Sequence, residues 1–171
     1  MQPLAFILLS VMPALVIIAG LHDLTTMKIP NWISLALLAV FPLAALLVGL
    51  PPLDIAIHFG VGVGVLFISM ALFALNWIGG GDAKLLAASC LWMGLSGAFM
   101  FLVYTALIGG LFSLVLMSAR AYAPRYVGPA TPEWIAGLMR PKGDIPYGVA
   151  IAVGALLAYP SSQMVQAFVG S

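Results

Sequence analysis

The chain alternates long apolar runs with short polar breaks, and a membrane-spanning helix needs about 20 consecutive apolar residues. The first run covers residues 3–21 and ends at His22-Asp23. The second begins after Ile29-Pro30-Asn31, covers 32–49 and stops at Gly49-Leu50-Pro51-Pro52, because consecutive prolines cannot continue a helix. The third covers 55–78 and gives way to Gly79-Gly80-Gly81-Asp82-Ala83-Lys84. From 83 to 119 the chain is apolar for 37 positions, too long for one span and suited to two. Gly94-Leu95-Ser96-Gly97 is the predicted tight turn between them. Residues 120–144 form the long polar connection, and a sixth run starts near Ile145-Pro146-Tyr147 and reaches about 159. The pattern predicts an all-α polytopic membrane protein with six transmembrane helices, a single domain over 1–171, without internal repeats.

Composition agrees. Of 171 residues, 64% are hydrophobic and 6% charged, against about 25% charged in soluble domains. The expected surroundings are the lipid bilayer, and a net charge of +1 gives no reason to expect nucleic acid as a partner. The one cysteine, Cys90, lies in an apolar run, so no intramolecular disulfide and no CxxC zinc site can form. Met1-Gln2-Pro3 carries no basic segment and reads as the start of a first span rather than a cleaved signal.

The six basic residues add an orientation. With six helices, Lys28 falls in the first loop, Lys84 in the third, and Arg120, Arg125, Arg140 and Lys142 in the fifth. The opposite side has none, and basic loops stay in the cytoplasm. Both termini are therefore expected outside and the glycine loop at the cytoplasmic face. Within the fifth loop, Thr131-Pro132-Glu133 resembles a helix start with Thr as N-cap, opening a short interfacial helix through Trp134, Ile135, Leu138 and Met139.

Candidate chemistry rests on few groups. Asp54 lies beside the outer Pro-Pro turn and Glu133 at a helix start. That leaves Asp23, Asp82 and Asp144, all at the cytoplasmic edge. A carboxylate costs roughly 2.5–3.5 kcal/mol at the bilayer centre, so an acid held at a membrane edge marks a functional site by default. Two carboxyls within a few ångströms share one proton, the ionised one activating water and the protonated one polarising a carbonyl. Such a pair needs no metal or cofactor, and none is expected: His22 and His58 fall on opposite faces and cannot pair as ligands. Spacing alone leaves open which two of the three aspartates would act.

At this point the residues resemble a known family. Gly79-Gly80-Gly81-Asp82-Ala83-Lys84 is similar to the GxGDxK signature of the type IV prepilin peptidases, which are membrane aspartic proteases. Asp23 followed by Lys28-Ile29-Pro30-Asn31 is similar to their first-aspartate segment, and Ile145-Pro146-Tyr147-Gly148 to the start of their last helix. The GxGD signature alone is shared with presenilin-type proteases; the three motifs in order span essentially the whole chain. The resemblance implies that Asp23 and Asp82 are the catalytic pair, with Gly79, Gly81, Lys84, Lys28, Pro30, Asn31 and Pro146 in supporting motifs and Asp144 structural. It implies a prepilin substrate, cut at the cytoplasmic face of a bacterial inner membrane between its leader and its apolar helix, with pilus or secretion components as further partners. Larger members carry an N-terminal region with paired CxxC motifs and a methyltransferase activity. This chain starts at helix one with one cysteine, and so resembles the short, peptidase-only members of Flp-type, tight-adherence systems.

Two other readings compete with a protease. One is a small transporter or ion-translocating protein that uses Asp23 and Asp82 as relay groups; the other is a non-catalytic subunit of a secretion apparatus. A protease further requires helices one and four to be neighbours. Its two carboxyls are expected to stand too far apart to share a proton until substrate draws them together.

Overall fold

A computed structural model describes residues 2–122, 128 and 130–170. Among these, every regular element is helical: α1 (Gln2–Thr26), α2 (Asn31–Leu47), α3 (Pro52–Ala74), α4 (Gly80–Tyr122), α5 (Glu133–Leu138), α6 (Tyr147–Ala158), a 3-10 turn (Tyr159–Ser161) and α7 (Gln163–Val169). Among the described residues, four segments are long and apolar enough to cross a membrane, namely α1, α3, α4 and the stretch Tyr147–Val169. α2, at 17 residues, is shorter. Apolar side chains cover the outside, Phe67, Ile68 and Leu107 among them, as a protein solvated by lipid requires.

The 43-residue α4 is two arms rather than one rod. Gly94 stands at φ 71, ψ −177, a left-handed conformation that glycine adopts freely and L-residues do not. Leu86 of the first arm and Leu102 of the second line the same cavity, so the chain reverses at Gly94. The reversal was expected within Gly94–Gly97; the structure concentrates it in Gly94, and helix resumes at once. An added Cβ there would stand 2.7 Å from His58 Nε2.

The end of the bundle that holds Gly94 is tightly tied. Buried His58 donates from Nδ1 to Leu91 O at 2.7 Å and stacks on Phe41 with ring centroids 5.3 Å apart. Gln163 Nε2 donates to Asp54 Oδ2 at 2.9 Å, so the acid beside the Pro-Pro turn is a bonded group. Tyr159 donates to Leu9 O at 2.8 Å. Below this layer Trp92 and Phe101 are fully buried, and Trp92 Nε1 donates to Leu37 O at 3.0 Å. Cys90 is buried in the same core.

The opposite end carries the breaks between α1 and α2, between α3 and α4, and before α6. Here Arg120, almost fully buried, donates to Leu138 O, Gly143 O and Asp144 O at 2.8, 2.7 and 2.7 Å. One planar guanidinium thus straps down the segment before α6. The short helix of the long connection exists as α5, but Thr131 does not cap it. The N-cap is Pro132, without a side-chain bond, and Thr131 Oγ1 accepts instead from Gly128 N–H at 3.0 Å. Arg125 lies outside the described residues.

Gly94→Ala is expected to lower the unfolding temperature of the detergent-solubilised protein. The left-handed backbone alone costs roughly 1–2 kcal/mol for a residue with a Cβ, and His58 must also move. Gly64→Ala, where a Cβ meets nothing within 4 Å, should be neutral or slightly stabilising. Equal effects of the two substitutions would remove the reversal from Gly94.

Candidate active site

Three backbone events build the site. α1 closes at Met27, whose φ of 55 ends the helix one turn after Asp23. α3 closes at Asn76, φ 59, in the left-handed cap that asparagine tolerates best among non-glycine residues. α4 then opens at Gly80. Met27 and Asn76 both face a cavity of about 880 Å³, so each aspartate-bearing segment enters it beside a left-handed residue. Such backbone clusters at functional sites. Composition gave no sign of it, since neither residue is glycine.

Asp23 and Asp82 both line this cavity, and their charges act on each other. Asp23 is buried, and its Oδ2 accepts from Gly148 N–H at 2.7 Å. Asp82 is half-buried, and its Oδ2 accepts from Gly79 N–H at 3.2 Å. Each carboxyl is thus oriented by a backbone donor, and among the described residues no hydrogen bond joins the two. Asp144 sits at the rim with its side chain exposed; its backbone carbonyl is the part that is held. Tyr147 lines the wall within electrostatic reach of Asp82, with its ring packed on Gly109.

The expectation that helices one and four are neighbours needs revision. α1 touches α4 only sparingly, whereas α6 packs extensively on both. Close approach makes this possible. A Cβ on Gly148 would stand 2.9 Å from Asp23 Cβ and Oδ2 and from Ile29 Cδ1. The glycines before Asp82 serve a similar purpose. None of the three has a positive φ, but a Cβ on Gly79 would stand 2.8 Å from Asp82 Oδ2, and one on Gly81 would stand 3.0 Å from Ile29 Cβ.

Other motif residues lie around the cavity rather than in it. Pro30 is the N-cap of α2, and Pro146 is the N-cap of α6. Lys28 O accepts from His22 Nδ1 at 2.7 Å, and His22 lies within electrostatic reach of Asp23. Lys84 Nζ donates to Asn31 Oδ1 at 2.9 Å, tying α4 to α2 on the face away from Asp82. Among the described residues no group of three or more His, Cys, Asp or Glu could hold a metal ion. Tyr147 and Gly148 stand in the Ile145-Pro146-Tyr147-Gly148 motif, which gave neither of them a role of its own. Their only sequence signal was their place after Pro146.

Comparison with family models matches residues 10–114 to one described as the type IV leader peptidase family. Comparison with curated proteins and with solved structures returns no match.

Gly148→Ala is expected to destabilise the protein by about 1–3 kcal/mol, the usual range for overpacking a tight contact. Thermal unfolding in detergent measures it. Gly80→Ala, whose Cβ would meet only the Phe73 ring edge at 3.4 Å, should have little effect. A Gly148→Ala protein as stable as the unaltered one would mean that α6 and Asp23 are not in this contact.

Proposed function

Because the chain belongs to the type IV leader peptidase family, we propose that it removes prepilin leaders by aspartic chemistry, with Asp23 and Asp82 as the catalytic pair. The observation that carries the proposal is that these two carboxyls, 59 positions apart in sequence, line one cavity and act on each other electrostatically. Two such groups drawn together do not both ionise cheaply. The ionised member takes a proton from a water, and that water attacks the scissile carbonyl carbon. The protonated member donates to the carbonyl oxygen, giving a tetrahedral diol; the proton taken from water then goes to the amide nitrogen as the C–N bond breaks, and a diol hydroxyl returns its proton to the second carboxylate as the carbonyl re-forms. Gly148 N–H and Gly79 N–H fix one oxygen of each carboxyl, leaving the other of each for this work. Tyr147, on the wall beside Asp82, is a positioning group for the substrate.

The proposed substrate is an Flp-type prepilin, entering as an extended leader followed by an apolar helix. The proposed topology has six spans: α1, α2, α3, the two arms of α4, and the α6–α7 stretch. Both termini are then outside and the cavity opens to the cytoplasm. In support, Lys28, Lys84, Arg120, Arg140 and Lys142 gather at the end of the bundle that holds the two aspartates, and basic residues favour the cytoplasmic side.

Co-expression with a candidate prepilin tests the reading on a gel. The unaltered chain should shorten the substrate, and Asp82→Asn should leave it full length with the enzyme still in the membrane. Asp144→Asn should retain substantial cleavage. A Cys at position 2 in a Cys90→Ala background should react with an impermeant thiol reagent added outside. Cleavage by Asp82→Asn, or loss in Asp144→Asn as complete as in Asp82→Asn, would show that the wrong pair has been chosen. Labelling of position 2 only from the cytoplasm would reverse the topology.

A further inference from the structure

The face of α4 turned away from the aspartates floors a second cavity, of about 430 Å³, open between α2 and α3. Lys84, Ala87, Ala88 and Leu91 recur at three- and four-residue spacing and so share one helical face. Asp82 and Leu86, four apart, share the other and line the carboxyl cavity. Apart from Ser34, one turn beyond Asn31, the walls of the second cavity are aliphatic or aromatic, with Leu35 and Leu38 from α2 and Val63 and Leu66 from α3. Its floor is kept low by small residues, for a Cβ on Gly62 would already stand 3.1 Å from Leu91 Cβ.

Only one end is polar. There the Lys84 ammonium donates to Asn31 Oδ1, a neutral acceptor, and among the described residues no carboxylate pairs with it. Asn31 keeps its amide nitrogen free to donate, and both side chains are exposed. The groove therefore offers a cation and an amide donor at its mouth, the Ser34 hydroxyl one helical turn in, and hydrocarbon along the rest of its length.

Length and charge select the occupant. From Lys84 to Leu91 the groove runs roughly 10 Å at 1.5 Å per residue, within one leaflet of a hydrocarbon core about 30 Å thick. An ammonium without a carboxylate partner among the described residues, at the mouth of a groove that is otherwise mostly apolar, complements an anionic headgroup followed by hydrocarbon. We propose that the groove binds one acyl chain of an anionic phospholipid, with the phosphate held by Lys84 and the Asn31 amide. This places a lipid site directly behind the helix that carries Asp82, and it does not depend on which reaction that residue performs.

The test uses the full-length chain in dodecyl maltoside, incubated with equal amounts of palmitoyl-oleoyl phosphatidylglycerol and phosphatidylcholine. Native mass spectrometry counts what is retained. The expected result is one phosphatidylglycerol bound in about fivefold preference, the equivalent of the ~1 kcal/mol that one lysine contributes near an anionic surface. Lys84→Gln should abolish the preference. Val63→Phe, filling the groove from an exposed position, should lower retention of both lipids. Lys142→Gln, at the same end of the bundle but outside the groove, should change neither. Excess inorganic phosphate should not displace the lipid, because the acyl chain seats it. Equal retention of the two lipids by the unaltered chain would overturn the proposal. So would a preference that survives Lys84→Gln or is lost in Lys142→Gln, or displacement of the lipid by a prepilin's apolar-helix peptide.

Discussion

The close approach of α6 to α1, sealed by the 2.7 Å bond from Gly148 N–H to Asp23 Oδ2, is the contact on which the rest of the site depends. In lipid there is no water to expel from between apolar helices, so they associate through close packing of small residues and through interhelical hydrogen bonds. α6 supplies both. It meets α1 through Gly148 and through Ala152 on Gly20, and it meets the second arm of α4 through Gly154 on Thr105. α1 and α4 touch too little to fix each other. α6 thus holds α1 and the second arm of α4 beside the cavity that Asp23 and Asp82 line, although it contributes neither carboxyl.

The two ends of the bundle differ in how their polar groups are satisfied. Where Gly94 turns, His58, Gln163, Asp54 and Tyr159 are bonded to one another or to backbone, and the aromatic core packs against them. At the other end the side chains of Asp23 and Asp82 take single bonds from backbone donors, and left-handed Met27 and Asn76 stand beside them. The Arg120 strap holds the segment before α6 without filling the cavity. A closed end and an open end suit the proposed entry of an extended leader on one side. The transport reading would call for intramembrane acids along a path, and both aspartates lie at one end.

Much of this was legible in the sequence because lipid imposes a simple rule. Apolar run lengths located the helices within a few residues, and the scarcity of acids reduced the candidates to three. The reversal within 83–119 was readable from length, but its concentration in Gly94 was not. Gly97 looked as suitable, and only the His58 contact and the backbone at Gly94 distinguish them. The partnership of Asp23 with Gly148 could not be read, because a backbone N–H 125 positions away leaves no trace in side-chain chemistry. The same holds for the role of α6, whose small residues look like any apolar span. Thr131 failed as a cap because its hydroxyl found a nearer donor in Gly128, a local competition that composition does not decide.

The central claim is that Asp23 and Asp82 act as one unit, and a kinetic cycle tests it most directly. Leader cleavage of a purified prepilin would be followed for the unaltered chain, Asp23→Asn, Asp82→Asn and the double substitution, all in the same detergent. Residues that act together are grossly non-additive, so the account predicts that either single substitution removes nearly all of kcat/KM and that the double is no slower. A double variant whose loss equals the product of the two single losses would mean that the carboxyls act independently, and would contradict it.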